Sequence, residues 1–297
     1  MSNFIVTCAG CHQGQTKKGV DFGYTAFLDP LNRLVDCNST KFVDFRNSRY
    51  FTDPIYGSFV MGNNIINTFR KNSNMTSENT SLLTLRDDHT ISFGSICASR
   101  ELYGQVKVIW IDAHPDINTP QSSLSGNCHG MPVAYLFDIA HNHNVNLQTP
   151  VIFRQDLAYV GLRNVDDFER ELIDKHDIIN YGADTVAAEG IDWILENLEK
   201  RLIRNDSKKY KIHVSLDIDS ISPDYAPATG TPEPGGLTPD DVKKLLDFAN
   251  SHSRGNCNLD ITEVNPALSD IEGSCKTYSV CKDIINHYID IVGAEKS

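Results

Sequence analysis

The stretch over residues 106–130, VKVIWIDAHPDINTPQSSLSGNCHG, constrains the fold more than any other part of the chain. It opens as an apolar run rich in β-branched residues and ends by placing Asp112, His114 and Asp116 at alternate positions. Alternate side chains on a strand share a face, so these three point the same way for as long as the extended conformation persists. Two carboxylates and an imidazole converging at a strand tip cannot be buried unpaired without a cost of several kcal/mol. A bound cation is the simplest partner.

Other segments repeat the arrangement. Residues 4–9 read as a short buried strand, followed by a loop punctuated by Gly10, Gly14, Gly19 and Gly23, and a helix is predicted over 57–71. An apolar strand over 81–85 runs into Arg86-Asp87-Asp88-His89, and Thr90 is placed to cap a helix reaching about residue 102. Beyond the central strand and its Ser/Asn/Gly loop, the pattern predicts a helix over 131–141 and a strand over 156–162 that ends in Arg163-Asn164-Val165-Asp166. Residues 184–204 carry helical spacing; 210–219 form an apolar strand with Asp217 and Asp219 at its end, and a helix starts at Thr238. A last strand over 258–264 holds Glu263, and a last helix covers 277–291.

Strands alternating with helices indicate an α/β fold with a mostly parallel sheet covered on both faces. Such sheets bind ligands at the carboxyl ends of their strands. His89, the Asp112/His114/Asp116 trio, Asp166, the Asp217/Asp219 pair and Glu263 all fall at that end, which implies one shared pocket.

The chain of 297 residues shows no Pro/Ser/Gly-rich linker and no repeat of fixed period, so a single domain over 1–297 is expected. With 39 acidic against 27 basic residues the net charge is −12, which argues against nucleic acid or an anionic membrane as main partner. The start, MSNFIVTCAGCH, lacks the basic and apolar regions of a signal peptide, and no run approaches the roughly 18 apolar residues of a membrane span. The cysteines, Cys8, Cys11, Cys37, Cys97, Cys128, Cys257, Cys275 and Cys281, are irregularly spaced, and reduced thiols in a cytoplasmic protein are expected. Cys8 and Cys11 form C-x-x-C, but no second such pair follows to complete a zinc site.

The composition of the cluster selects among metals. His89, Asp112, His114, Asp116, Asp217 and Asp219 offer carboxylates and imidazoles without a thiolate, which favours harder ions such as Mn²⁺ over structural zinc. Their four carboxylates balance two divalent ions, and such a pair can hold and deprotonate a shared water.

Longer matches then carry a resemblance: Gly19-Val20-Asp21, IDAHPDINTP over 111–120, SGNCHGMP over 125–132, SLDIDSISPDYAPATGTPEPGGL over 215–237 and LDITEVNPAL over 259–268. In this order the chain resembles the arginases of the ureohydrolase family. The resemblance implies a three-layer α/β/α fold with an eight-stranded parallel sheet, two Mn²⁺ per subunit, a homotrimer, and hydrolysis of L-arginine to L-ornithine and urea. It implies one metal held by His89, Asp112, Asp116 and Asp217 and another by Asp112, His114, Asp217 and Asp219, with a metal-bridging hydroxide attacking the guanidinium carbon. Asp116 would help move the proton, Glu263 would bind the guanidinium, and His129 would shuttle protons to solvent. Asn118, Ser125 and Asn127 match residues that bind the α-carboxylate, Ser123 supplies a hydroxyl beside them, Asp166 reads the α-amino group, and Thr231 lines the pocket.

Two places depart from the family pattern. Arg86-Asp87-Asp88-His89-Thr90 stands where Gly-Gly-Asp-His-Ser is common, and Asp167-Phe168 replaces the usual Pro-Gly after Asp166. Agmatinase and formiminoglutamase relatives keep the metal cluster and differ in the loops; the serines and asparagines of NTPQSSLSGNCHG favour a substrate with an α-carboxylate. Zinc-dependent deacetylases share the fold but carry adjacent histidines, and no His-His occurs here. A catalytically silent relative should have lost metal ligands, whereas all six are present. His12, His141, His143, His176, His213, His252 and His287 match nothing in the site and read as surface or packing residues.

Overall fold

The computed structural model describes residues 2–9, 14, 16–17, 19, 28–35, 39–45, 52–85, 88–146 and 150–293. Gly10, Cys11, His12, Val20, Asp21, Gly23, Cys37, Arg86 and Asp87 lie outside them, and with them the second member of the C-x-x-C pair and the two residues of the departure ahead of Asp88 and His89. The strands are β1 (Asn3–Ala9), β2 (Thr40–Phe45), β3 (Thr80–Leu85), β4 (Val106–Ile111), β5 (Leu157–Val160), β6 (Ile179–Tyr181), β7 (Lys211–Asp217) and β8 (Asn258–Thr262). The helices are α1 (Leu28–Val35), α2 (Pro54–Arg70), α3 (Ile91–Tyr103), α4 (Pro132–Leu136), α5 (Asp167–Lys175), α6 (Ala183–Glu189), α7 (Ile191–Leu198), α8 (Pro239–His252) and α9 (Ile271–Gly293).

All eight strands join one sheet in the order β2-β1-β3-β8-β7-β4-β5-β6, and every pairing is parallel. Every residue of β3, β4, β5, β7 and β8 is buried, as a sheet covered on both faces requires. Alternation assigns the faces. Ile109, Ile111, Val214 and Leu216 pack with residues of α7, α8 and α9, while Val108, Trp110 and Tyr159 pack with Phe93 of α3 and Val133 of α4. The result is the three-layer α/β/α arrangement.

Strand order positions the site. The strands β3, β8, β7, β4 and β5 are contiguous neighbours, and they are the five whose carboxyl ends lead to His89, Glu263, Asp217, Asp112 and Asp166. Segments far apart in sequence therefore deliver their polar ends to one edge of the sheet.

Three expected helices differ in extent. α4 stops at Leu136 instead of 141, because Asp138 takes a left-handed conformation (φ 59°) that an α-helix cannot continue through. The 184–204 segment divides at Gly190 (φ 82°) into α6 and α7, and a π-helical turn, Glu199–Ile203, ends it at left-handed Arg204. α9 starts at Ile271, ahead of the expected 277, with Asp270 Oδ1 accepting from Gly273 N at 2.7 Å. Among the described residues no helix is long and apolar enough to cross a membrane.

α3 starts two residues after His89, so its seating governs where that histidine lies. It packs on α2 through glycines: a Cβ on Gly94 would sit 1.8 Å from the Ser58 carbonyl oxygen, and one on Gly62 2.3 Å from that of Gly94. Ser58 Oγ fastens the contact, accepting from Gly94 N at 2.8 Å and donating to the Ile91 carbonyl at 3.1 Å. Gly94→Ala must push two backbones apart, and we expect a loss of about 1–3 kcal/mol in urea unfolding. An unchanged midpoint with an unchanged slope would show that the helices separate at no cost.

Candidate metal centre

The extended conformation of β4 ends at Ile111, and what brings its three polar residues together is a turn. Asp112 Oδ1 accepts from His114 N at 2.7 Å, which folds the chain back and leaves Oδ2 facing inward. Asp116 then adopts φ 51°, a left-handed backbone uncommon for a residue with a side chain. β7 ends with the same device: Asp217 Oδ1 accepts from Asp219 N at 2.8 Å. The expectation that alternation alone would align Asp112, His114 and Asp116 is corrected accordingly.

His89 sits where these carboxylates meet. Its Nδ1 lies 3.0 Å from Asp112 Oδ2, 3.0 Å from Asp116 Oδ2 and 3.2 Å from Asp217 Oδ2, yet makes no hydrogen bond. Its Nε2 is 2.9 Å from Ser215 Oγ, and that hydroxyl donates its proton to Ser92 Oγ at 2.9 Å. Ser215 can therefore only accept from His89, which puts a ring proton on Nε2 and turns Nδ1 toward three carboxylates. Trp110 fixes the ring plane by stacking at 4.3 Å and donates Nε1–H to Asp112 Oδ2 at 2.9 Å. Three buried carboxylates crowded onto one imidazole nitrogen carry more negative charge than a single ring can offset, and a cation is the group that fits them.

A second grouping adjoins the first. His114 Nδ1 is 3.2 Å from Asp219 Oδ2 and 3.6 Å from Asp112 Oδ1. Asp219 Oδ1 accepts from Ala113 N at 3.2 Å, and its Oδ2 accepts from Thr231 Oγ1 at 2.8 Å. Both His89/Asp112/Asp217 and Asp112/His114/Asp219 bring potential ligand atoms within 4.8 Å of one another, and Asp112 belongs to both. On the outer side, His114 Nε2 lies 3.8 Å from Glu233 Oε1, which accepts from Asn164 Nδ2 at 2.6 Å.

The ionisations follow from crowding. Burial and the neighbouring Asp112 charge push Asp116 up to about 7. Burial, Asp219 and Asp112 push Asp217 well above the carboxylate range. Burial also works to raise Asp112, but His114 and His89 outweigh it and hold that group low. The imidazoles respond in kind: burial opposes their charge, and the surrounding carboxylates overcome it, so His89 and His114 are both raised.

His129, in the wall above this cluster, is backed by the buried Glu263. His129 Nδ1 is 3.2 Å from Glu263 Oε1; burial opposes its charge, but Glu263 raises it to about 9. Glu263 lies just past β8, not within it, at φ 63°, and its Oε1 also accepts from His89 N at 3.0 Å. Asp88, raised to about 6 by burial and Glu263, accepts from Gly14 N, whose carbonyl in turn accepts from His129 N at 3.2 Å.

A cavity of about 270 Å³ opens over the cluster. Of the residues expected to meet a substrate, Asn118, Ser123, Ser125, Asp166 and Thr231 line it, together with His114, Asp116, Asp217 and His129. Asn127 does not line it; its N–H donates to Ser125 Oγ at 3.2 Å and it opens the turn holding His129. Asn118 Nδ2 donates to Asp166 Oδ2 at 2.9 Å, which ties two of the expected substrate readers together. A larger hollow of about 590 Å³ between α2 and α3 contains none of the predicted residues.

Several supporting residues escape the motifs. Glu169 accepts from Asp166 N at 3.1 Å and Ile117 N at 3.2 Å, joining the start of α5 to the β4 loop. Its D-x-x-E spacing to Asp166 is a readable capping box, and Asp167 fills the first helical position where proline is common. Trp110 and Ser215 each stand two residues before a cluster carboxylate, a same-face spacing that strand alternation reveals once the strands are known. His213, read as packing, is fully buried between Ser99 Oγ and Asp260 Oδ2, both at 2.8 Å.

These ionisations have a stability consequence. Asp88, Asp116 and Glu169 (raised to about 8) keep protons that their unfolded forms lose by about pH 5, and His129 keeps one lost near 6.5. The folded metal-free chain thus binds more protons than the unfolded chain across pH 5–8, so its stability falls as pH rises. The lowered groups, Asp112 and Glu263, are ionised in both states over that window and do not offset the trend. Thermal unfolding of chelator-treated protein should give a lower midpoint at pH 8 than at pH 5.5, and Mn²⁺ should raise the pH 8 value most. A chelated protein more stable at pH 8 would refute the repulsion.

Comparison with known proteins places this geometry. The family model described as Arginase family matches residues 2–288. Mitochondrial arginase-2 of Rattus norvegicus is 33% identical over 289 residues, covering 92% of this chain and 80% of its own. The crystal structure of arginase from Bacillus subtilis matches with a TM-score of 0.83 at 25% identity, over 100% of both chains. Formimidoylglutamase from Bacillus subtilis subsp. subtilis str. 168 shares the fold with a TM-score of 0.77 at 18% identity, covering 100% of this chain and 89% of its own, so the fold by itself does not select a substrate. The match along nearly the whole chain, together with His/Asp groupings able to bind metal, makes this protein a member of the arginase family and a hydrolase of the arginase type.

Proposed function

We propose that the protein is a binuclear manganese arginase that hydrolyses L-arginine to L-ornithine and urea. The observation that carries the proposal is the pair of groupings sharing Asp112 beneath a cavity walled by Asn118, Ser123, Ser125 and Asp166. His89, Asp112, Asp116 and Asp217 would hold one ion, and Asp112, His114, Asp217 and Asp219 the other. Two divalent ions supply Lewis acidity there, making water acidic enough to ionise near neutral pH and offsetting charge that develops in the transition state.

The chain's own residues do the rest. Asp116 lines the cavity beside the cluster and takes part in moving the water proton. Glu263 faces the guanidinium group, where two oxygens meet a planar cation. That carboxylate pairs with His129 at 3.2 Å in the substrate-free protein, so the arriving guanidinium takes over the partner of His129. The freed imidazole lies at the cavity wall and passes its proton to the departing amine. Asn118, Ser125 and Asn127 receive the α-carboxylate, with Ser123 beside them, and Asp166 receives the α-amino group. Thr231 lines the pocket and steadies Asp219 through its hydroxyl.

The proposal extends to a subunit of one catalytic domain over 1–297 in a homotrimer. Among the described residues Cys97, Cys128 and Cys275 form no disulfide, which supports a compartment that keeps thiols reduced, and we assign the cytoplasm.

Urea release in Mn²⁺-supplemented buffer tests the substrate. L-Arginine should be turned over at least ~10-fold more efficiently than agmatine, since agmatine lacks the carboxylate that the wall is built to meet. Preference for agmatine would overturn the arginase reading and leave the family assignment standing. Asp112→Ala should abolish activity and lower the content of both ions together. His129→Ala should lower kcat by ~10²-fold with metal content unchanged, and Glu263→Gln should reduce kcat/KM further. Wild-type kcat/KM in Glu263→Gln would remove that residue from the site.

A further inference from the structure

Arg163 makes contacts that the chemistry above does not use. Its backbone N–H donates to the Ala113 carbonyl at 2.9 Å, between Asp112 and His114 at the β4 tip. Its guanidinium then reaches three other segments, each through backbone carbonyls. Nη2 donates to Asp219 at 2.6 Å and Glu233 at 3.1 Å, Nη1 to Gly161 and Ser220 at 3.2 Å each, and Nε to Pro234 at 3.2 Å. No carboxylate is among these partners, so the side chain spends its charge on the negative ends of peptide dipoles.

The set is selective in what it touches. Asp219 belongs to the Asp112/His114/Asp219 grouping and Ala113 lies between its other two members, while Glu233 and Pro234 belong to the loop that carries Thr231, whose hydroxyl meets Asp219 Oδ2. None of these contacts reaches His89 or its backing residues Ser215 and Ser92. Room for the fork is made by Gly236, at φ +116°: a Cβ there would lie 2.8 Å from Arg163 Nη2 and 2.7 Å from the Ser220 carbonyl oxygen.

We propose that Arg163 is a positioning residue that couples the second metal grouping to the substrate loop, so that seating an ion at His114 and Asp219 and ordering the loop around Thr231 are one event. This rests on the binuclear reading given above. Lysine cannot substitute, because a single ammonium has three donors on a point charge and cannot span five carbonyls in a planar fork.

The test is calorimetric titration of metal-free protein with Mn²⁺, beside steady-state kinetics, for wild type, Arg163→Lys, Gly236→Ala and the neighbouring exposed Arg170→Lys. Wild type and Arg170→Lys should bind two ions with the same affinities. Arg163→Lys and Gly236→Ala should each weaken one ion by ~10-fold or more, keep the other, and raise KM for L-arginine. Two ions at wild-type affinity in Arg163→Lys would overturn the proposal alone. Equal weakening of both ions, with a lowered thermal midpoint, would reduce Arg163 to a stabilising role and also overturn it. Wild-type protein that binds fewer than two ions would overturn the binuclear reading, and this inference with it.

Discussion

Repulsion among buried acids is the constraint from which the rest of this architecture follows. Asp112, Asp116 and Asp217 bring oxygens within 3.2 Å of one imidazole nitrogen, more carboxylates than one ring can pair with. A fold that holds such a set must fix every member from behind, since each would otherwise swing to solvent. Trp110, Ser215, Ser92, Ala113 N and the turn N–H groups of His114 and Asp219 do this work for the first grouping and its neighbour. The glycine contact between α2 and α3 serves the same end by fixing the helix that follows His89.

The chemistry was legible in the sequence because it depends on residue type and strand position. Polar residues at the ends of apolar runs marked the cluster, and the parallel sheet follows from strands alternating with helices. Local backbone choices were less legible. Asp138 and Gly190 break helices through left-handed conformations, which composition cannot announce for an aspartate and only suggests for a glycine. The turn at Asp112 also departs from simple alternation, since a side chain that bonds its own backbone overrides the strand geometry. Glu233 stands in a loop whose Pro/Gly pattern gave no sign that it would approach His114.

Two residues of the wall and floor, Asp116 and Glu263, hold positive φ values of 51° and 63°. Such a conformation costs about 1–3 kcal/mol for a residue with a side chain, and it persists only where surroundings over-determine it. Here they do. Val133 N donates to the Asp116 carbonyl at 3.0 Å, and Glu263 is pinned by His89 N and His129. The strained backbone sets Asp116 at the cavity and turns Glu263 toward His89 and His129.

The hydrogen bond from His89 N to Glu263 spans 174 positions of sequence. Between those two points the chain must lay down β4, β5, β6 and β7, and β8 must then insert beside β3 before either residue meets the other. Contacts of such separation close only after the intervening loop entropy has been overcome, so they belong to the last stages of folding. A nascent chain released before β8 lacks the central strand that joins the two halves of the sheet. The acidic cluster therefore comes into existence as a complete unit only once β8 has been made, and chains that stop before it present scattered aspartates in place of a cation trap.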